Sequence, residues 1–390
     1  CLLYYPPLFR INVMHIVGLL SWLYLFMKGD IAWSIIRQIN IAQQVFAFAD
    51  IFVYSLFVCL VNSTSYLKSS FPIYYIVDVI PFGLSIAIYS KKRDLQVGDF
   101  FDMVLFVGEM QALCSILAIF VPEVQSYFAK RLLDYGYDEV YSNLTSYRIY
   151  GFAGNMTFSM PLLQSLLSIL AVYFAMNRSA KYALAGFFLA FSAIINARVS
   201  LFVFSVGIVI LILSNKLIIK KRLRLLILSV LSLYFIVRAL VPSLLERFPI
   251  TFRYILSGVD EIGRFLVGDT AYGYFSYLTD KNNYRIPESI RTILFGTGHI
   301  TMGMLSKYGF SSDVGYINDL WFGGIFYILI VYVLFIAMMW RLYRSRDKTA
   351  SLLGLYFLLI YPIVNFKGIV FSMNSISNFV VIAYIYIMAI

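Results

Sequence analysis

Apolar runs of about 17 to 24 residues recur along the chain, and no other feature restricts its fold as strongly. A helix rising about 1.5 Å per residue needs about 20 apolar residues to cross the ~30 Å hydrocarbon core of a bilayer. Strands are excluded as the main architecture, because barrel strands are about ten residues long and alternate apolar with polar positions. Only 13% of the residues are charged, against about 25% in a soluble domain. The sequence therefore predicts an all-α polytopic membrane protein. Spans are expected at 11–27, 44–61, 71–90, 100–121, 153–176, 181–197, 198–214, 223–241, 317–340, 350–366 and 372–390. Residues 31–41 (IAWSIIRQINI) are amphipathic and predict a helix lying in the interface.

The connections give sidedness. KKRD (91–94), NRSAK (177–181), NKLIIKKRLR (215–224) and RLYRSRDK (341–348) hold 14 Lys or Arg against 2 acids. Short basic connections lie in the cytoplasm, and threading the spans in order puts all of these on one side. Two connections on the opposite side are long, 122–152 and 242–316. The larger, between spans 223–241 and 317–340, carries 7 basic and 7 acidic residues. Its length alone points to a function. Threading puts Cys1 outside and Ile390 inside with eleven spans; one more span ahead of Cys1 would make twelve, with both ends inside. Residues 1–390 read as a single integral membrane domain, without the internal repeats of many transporters.

A net charge of +11 would point to nucleic acid in a soluble protein. Here it records the positive-inside bias, so no nucleic-acid partner is expected. Cys1, Cys59 and Cys114 are too few and too scattered for a disulfide framework or a metal cluster, and no metal is expected.

The stretch LFGTGHITMG (294–303) has the outline of a phosphate cradle, with Gly296, Gly298 and Gly303. A Walker A loop needs Lys-Ser/Thr after its last glycine; here Met304 and Leu305 follow. The threading also puts the segment outside, where nucleotide is scarce, so no cofactor is expected. What remains is a glycine turn that permits close approach of backbone to a neighbour.

Read onward, ILFGTGHI (293–300) and SSDVGYINDLWFGGIFYILIVYVLF (311–335) together resemble the O-antigen polymerase (Wzy) family and the related O-antigen ligases. In those proteins the last large extracytoplasmic loop ends in a similar glycine, DxG and glycine-pair pattern leading into a span. SYRIYGFAGNMTFSMPLLQSLL (146–167) and INARVSLFVFSVGIVILIL (195–213) are similar to two further segments of the family. Met156 stands where the family has proline, and Ala197 where it has serine. The ligases carry a His-centred motif near the DxG position; Asp313 stands there in this chain, which favours polymerase over ligase.

The resemblance implies a glycosyltransferase of a bacterial inner membrane. It would join polyprenyl-pyrophosphate-linked repeat units, as donor and acceptor, into an O-antigen or capsule at the extracytoplasmic face. A chain-length regulator and a flippase would be its partners. Arg148 and Arg198 fall at extracytoplasmic span ends and on motif positions. Arginine is always charged and presents a planar fork to phosphate, so the pair is expected to grip the pyrophosphate. Arg285 and Arg291, just before the glycine segment, and Arg238, near the outer end of a span, are further candidates. Asp313 is the first candidate to orient the acceptor hydroxyl, with His299, Glu288 and Asp319 behind it. Gly296, Gly298, Gly315 and Tyr316 are expected to form the wall of the site.

Asp50, Asp78, Asp102 and Glu109 lie in or beside the early spans, and Asp102 and Glu109 share a helix face. Intramembrane acids raise the alternative of a lipid-linked oligosaccharide flippase or exporter. A ligase is a third reading. His15, in an apolar span, reads as a packing residue.

Overall fold

The computed structural model describes residues 3–4, 13–64, 70–134, 149, 151–154, 159–214, scattered positions between 249 and 276, 280–301, 309–371 and 374–390. Among these residues every regular element is helical. Five helices are long and apolar enough to cross a membrane, or six if one bent pair counts as a single span. The chain is therefore a multi-pass, all-helical membrane protein by helix length and composition. The expected span 223–241 lies outside the described residues.

The first expected span is α1 (Val13–Met27), which meets α2 (Gly29–Gln38) at 103°. Lys28 occupies the bend. α2 is the amphipathic segment expected from sequence. It buries Ala32 and Ile35 and carries Asp30 in its first turn and Arg37 in its last, the order a helix dipole favours. α3 (Ile41–Val61) follows, entered through Asn40 in a left-handed conformation.

α4 (Phe71–Lys92) contains a π-helical turn at Tyr75–Val79. The cause is local. Pro81 has no N–H, so the Val77 carbonyl four residues before it loses its α-helical donor. It accepts instead from the Trp22 indole at 3.1 Å.

α5 (Val97–Phe120) is followed by α6 (Pro122–Asp134). Residues 122–134 were expected to belong to a loop and are helical instead. Their charged and polar side chains hid an amphipathic helix, which Pro122 opens at the first position, where its missing N–H costs nothing. α7 (Ser159–Asn177), α8 (Lys181–Ile194) and α9 (Arg198–Ser214) come next. Of the expected span 153–176, Ala153 and Gly154 are not helical, and among the described residues the helix is Ser159–Asn177. A short α10 (Ile290–Phe295) precedes the long α11 (Gly315–Tyr343), and α12 (Lys348–Val364) and α13 (Ser375–Ala389) complete the order.

The chain divides into two compact units. The first comprises Cys1–Leu3, Asn12–Phe100 and Gly273–Ile390. Its core is built on α13, which is buried on every side from Ser375 to Ile387. A helix apolar all round is a helix buried all round. Beside it runs a file of aromatic rings: Phe48 stacks on Tyr75 at 4.7 Å, Phe335 packs edge-on to both, and Phe371 joins Phe335 to Tyr332.

The second unit comprises Tyr4–Ile11 and Phe101–Tyr272. Here α7 is the buried helix. Small residues let α8 pack close, and the Ser168 hydroxyl donates to the Gly186 carbonyl at 2.7 Å. Gln164 donates to the Gly108 carbonyl on α5 at 3.2 Å.

Candidate functional site

The site grows from a break in α11. Gly324 has φ 71° and ψ −170°, so the helix is two arms joined at one glycine. The sequence predicted a span at 317–340, and the glycine pair Gly323–Gly324 marks where it parts. A break strands the carbonyls ahead of it, and backbone groups cannot stay unpaired at membrane depth. Four donors from three residues satisfy them. The Thr297 amide and hydroxyl donate to the Trp321 carbonyl at 2.7 and 2.8 Å. The Gly298 amide donates to the Phe322 carbonyl at 2.8 Å. The Tyr54 hydroxyl donates to the Gly323 carbonyl at 2.7 Å.

This is what the glycines of LFGTGHI are for. Gly296 and Gly298 have φ of 74° and 72°. A Cβ on Gly296 would collide with the Phe322 carbonyl, and one on Gly324 with the Leu294 carbonyl. The turn lies backbone to backbone against the broken helix.

The first arm, Gly315 to Gly323, carries one acid, Asp319. Asp319 is 3% exposed. The Tyr332 hydroxyl, from the second arm, donates to its Oδ2 at 2.6 Å, and Asn365 Nδ2 donates to that hydroxyl at 2.6 Å. Asn365 also receives the Gly315 amide on its carbonyl at 2.7 Å and the Val370 amide on its Oδ1 at 3.0 Å. A Cβ on Gly315 would strike Asn365 Oδ1 and the Gly368 carbonyl. Tyr316 donates to the Pro362 carbonyl at 2.6 Å and packs on Tyr332 and Phe366.

Asp313, just ahead of the arm, forms an ion pair with Lys367 at 3.3 Å; both are partly exposed. Around it the loop is stitched down. Asn318 Oδ1 accepts from the Thr301 amide at 2.9 Å, and its Nδ2 donates to the Ser312 and Val314 carbonyls. The Ser312 hydroxyl donates to the Asn283 carbonyl, and the Trp321 indole to the Arg285 carbonyl. The Arg285 guanidinium lies 5.7 Å over the Phe310 ring and donates to Asn282. Burial pushes the Tyr284 phenol of the same segment up.

Of the expected residues, the structure thus brings together Asp313, Asp319, Gly296, Gly298, Gly315, Tyr316 and Arg285. His299 is half-buried in the glycine turn, its amide 3.3 Å from Thr297 Oγ1. Glu288 and Arg291 are exposed on α10 and the residues before it. Arg148 and Arg238 lie outside the described residues. Arg198 opens α9 in the second unit. There Asn196 grips Ile149, accepting from its amide and donating to its carbonyl, each at 2.7 Å.

Tyr332, Asn365 and Lys367 were missed by sequence reasoning. The available signal was YPIVNFKG (361–368), where polar residues follow directly on an apolar run that holds a proline. His15, expected to be a packing residue, instead lies 2.7 Å from Asp78 Oδ2. Asp102 accepts from Tyr182 at 2.9 Å and pairs with Arg178 at 3.5 Å. Among the described residues no group of three His, Cys, Asp or Glu could hold a metal ion.

The arrangement supplies a carboxylate paired with an ammonium group, reachable from solvent, just ahead of an arm that carries a buried carboxyl. Comparison with family models, curated proteins and solved structures finds no match for the chain.

Proposed function

We propose that this chain is a membrane-embedded glycan polymerase of the kind its motifs resemble. Its donor is a growing chain on polyprenyl pyrophosphate, and its acceptor is a carrier-linked repeat unit. The acceptor hydroxyl oxygen attacks the anomeric carbon of the donor. The bond from that carbon to the pyrophosphate oxygen breaks, and the carrier pyrophosphate leaves. Asp313 accepts the hydroxyl proton, and Lys367 holds Asp313 in place. Arg148 and Arg198 take up the charge that develops on the leaving group. On this reading eleven or twelve spans place the site on the extracytoplasmic side of a bacterial inner membrane, with 242–316 as the outer loop.

The observation that carries the reading is the Asp313–Lys367 pair at the mouth of a broken apolar helix, held there by Asn318 and Asn365. Discontinuous helices in membranes occur where the backbone lines a site. The Asn196 clamp supports the arginine assignment, since Ile149 follows Arg148 and Asn196 lies two residues before Arg198.

Purified protein in detergent, given carrier-linked repeat units, is expected to lengthen chains, and Asp313→Asn to abolish this. No elongation by the parent protein overturns the reading. Elongation only when a lipid-core acceptor is added makes it a ligase.

One observation favours the transporter class. Asp78, fully buried within the π turn of α4, pairs with a histidine whose side chain is 62% exposed. An intramembrane carboxyl with such a partner suits proton-coupled lipid flipping. Flipping of carrier-linked units by protein in vesicles, lost in Asp78→Asn, would establish that reading.

A further inference from the structure

An open groove of about 470 Å³ runs between α3 and the second arm of α11, both within the first unit. Such volumes suit small ligands, which occupy about 300–1,000 Å³. Its walls are apolar along Ala47, Leu329, Val333 and Ala337. Leu329 and Val333 are more than half exposed, so the groove opens sideways rather than into the core.

The polar groups gather at one end. Gln43 and Gln44, in the first turn of α3, meet Arg341 in the last turn of α11. Arg341 stands twelve positions after Leu329. At about 1.5 Å per residue that is ~18 Å, close to the ~15 Å hydrocarbon depth of one leaflet. The groove is therefore as long as one leaflet is deep, with its charge where head groups lie.

Two features at that end ask for a ligand of definite chemistry. Arg341 donates to the Tyr384 hydroxyl at 2.7 Å, and among the described residues no carboxylate pairs with it. Arg344, Arg346 and Lys348 follow it, so the end is cationic. Gln44, 6% exposed, donates to the same hydroxyl at 3.0 Å. Its Oε1 is buried and accepts no hydrogen bond from any described residue. The site thus offers a guanidinium for an anion and an apolar trough for a chain.

We propose that this groove binds an anionic glycerophospholipid of the phosphatidylglycerol type. One acyl chain lies along Ala47, Val333 and Ala337. The phosphate meets Arg341. Cationic pockets between membrane helices recognise anionic head groups in this way. The inference rests on the membrane reading alone and is separate from the glycan chemistry proposed above.

The test is native mass spectrometry of the detergent-purified full chain, incubated with equal amounts of phosphatidylglycerol and phosphatidylcholine of matched acyl length. Phosphatidylglycerol is expected to be retained over phosphatidylcholine by roughly fivefold, the scale of one arginine near a charged surface. Arg341→Gln should erase that preference. Arg341 is exposed, and Tyr384 keeps its Gln44 partner, so the fold should survive, as thermal unfolding will show. Ala337→Trp, which fills the trough without touching the charged end, should lower retention of both lipids. Equal retention by the parent protein means annular lipid only and overturns the proposal. So does an unchanged preference in Arg341→Gln. Should that variant fail to fold, Ala337→Trp decides, and unchanged retention there overturns it.

Discussion

Asn196 holds Ile149 by both of its backbone groups: Oδ1 accepts from the Ile149 amide and Nδ2 donates to the Ile149 carbonyl, each at 2.7 Å. A side-chain amide here does for one residue what a neighbouring strand would do. Asn196→Leu keeps the volume and leaves both groups buried without partners. At about 1–3 kcal/mol for each unpaired group, the variant should lose about 2–6 kcal/mol. Thermal unfolding in detergent checks this; a leucine variant as stable as the parent means that the clamp does not fix this segment.

The arginines flanking that clamp make the functional prediction. Arg148→Ala and Arg198→Ala, inserted normally in the membrane, should leave cells with single repeat units and no long chains. Glycan gel ladders read the outcome, and normal ladders in both variants remove the arginines from the site.

The glycine turn gives a graded comparison. Gly296, Gly309 and Gly324 all have positive φ, but a Cβ meets backbone only at Gly296 and Gly324, while Gly309 faces open space. Gly309→Ala should cost about 1–2 kcal/mol, the strain of a left-handed alanine. Gly296→Ala and Gly324→Ala should cost clearly more, because the loop and the broken helix would have to move apart. Unfolding temperatures of the three single variants rank them; equal losses would mean that strain alone sets the cost.

Asp319 depends on Tyr332. Tyr332→Phe withdraws a donor from a buried carboxyl and should destabilise by about 1–3 kcal/mol. In an Asp319→Leu background the same change should cost less, because no carboxyl is left to strand. A double-mutant cycle by thermal unfolding measures the coupling, and strictly additive losses would show the two residues to be independent.

Lys367 separates stability from chemistry. The Asp313–Lys367 pair is partly exposed, and such pairs contribute about 0–1 kcal/mol. Lys367→Met should therefore unfold near the parent temperature. Its elongation rate in the detergent assay should fall roughly a hundredfold, the scale of losing one group that stabilises or positions charge. A rate within a factor of two of the parent would exclude Lys367 from the reaction.

The helices were legible because their signal is local: a run of apolar residues declares itself without knowledge of its neighbours. Asp313, Gly315 and the Gly323–Gly324 pair were legible for the same reason, being close in sequence and unusual at the start of a span. Asn365 and Lys367 were not. They reach the site from the far end of α12, 46 and 48 positions after Asp319, and only packing brings them there. The break at Gly324 was half legible. The glycine pair is visible in sequence, but that the amides of Thr297 and Gly298 would cap the broken end follows from three-dimensional contact. α6 was lost for the opposite reason, since a polar amphipathic helix in a long connection carries no apolar run. His15 and Asp78, 63 positions apart, gave no sign of each other.

The buried position of α13 has a consequence for how the protein is made. Gln44 on α3 finds its partner in Tyr384, 340 residues later, and Tyr74 finds Asn378. At roughly 5–20 residues per second, between about fifteen seconds and a minute of synthesis separates these groups. Through that interval Gln44 stands at the start of α3 without the hydroxyl that it will bond. Two polypeptides, parted within the stretch between residues 100 and 273 and made in the same cell, should therefore be able to find each other.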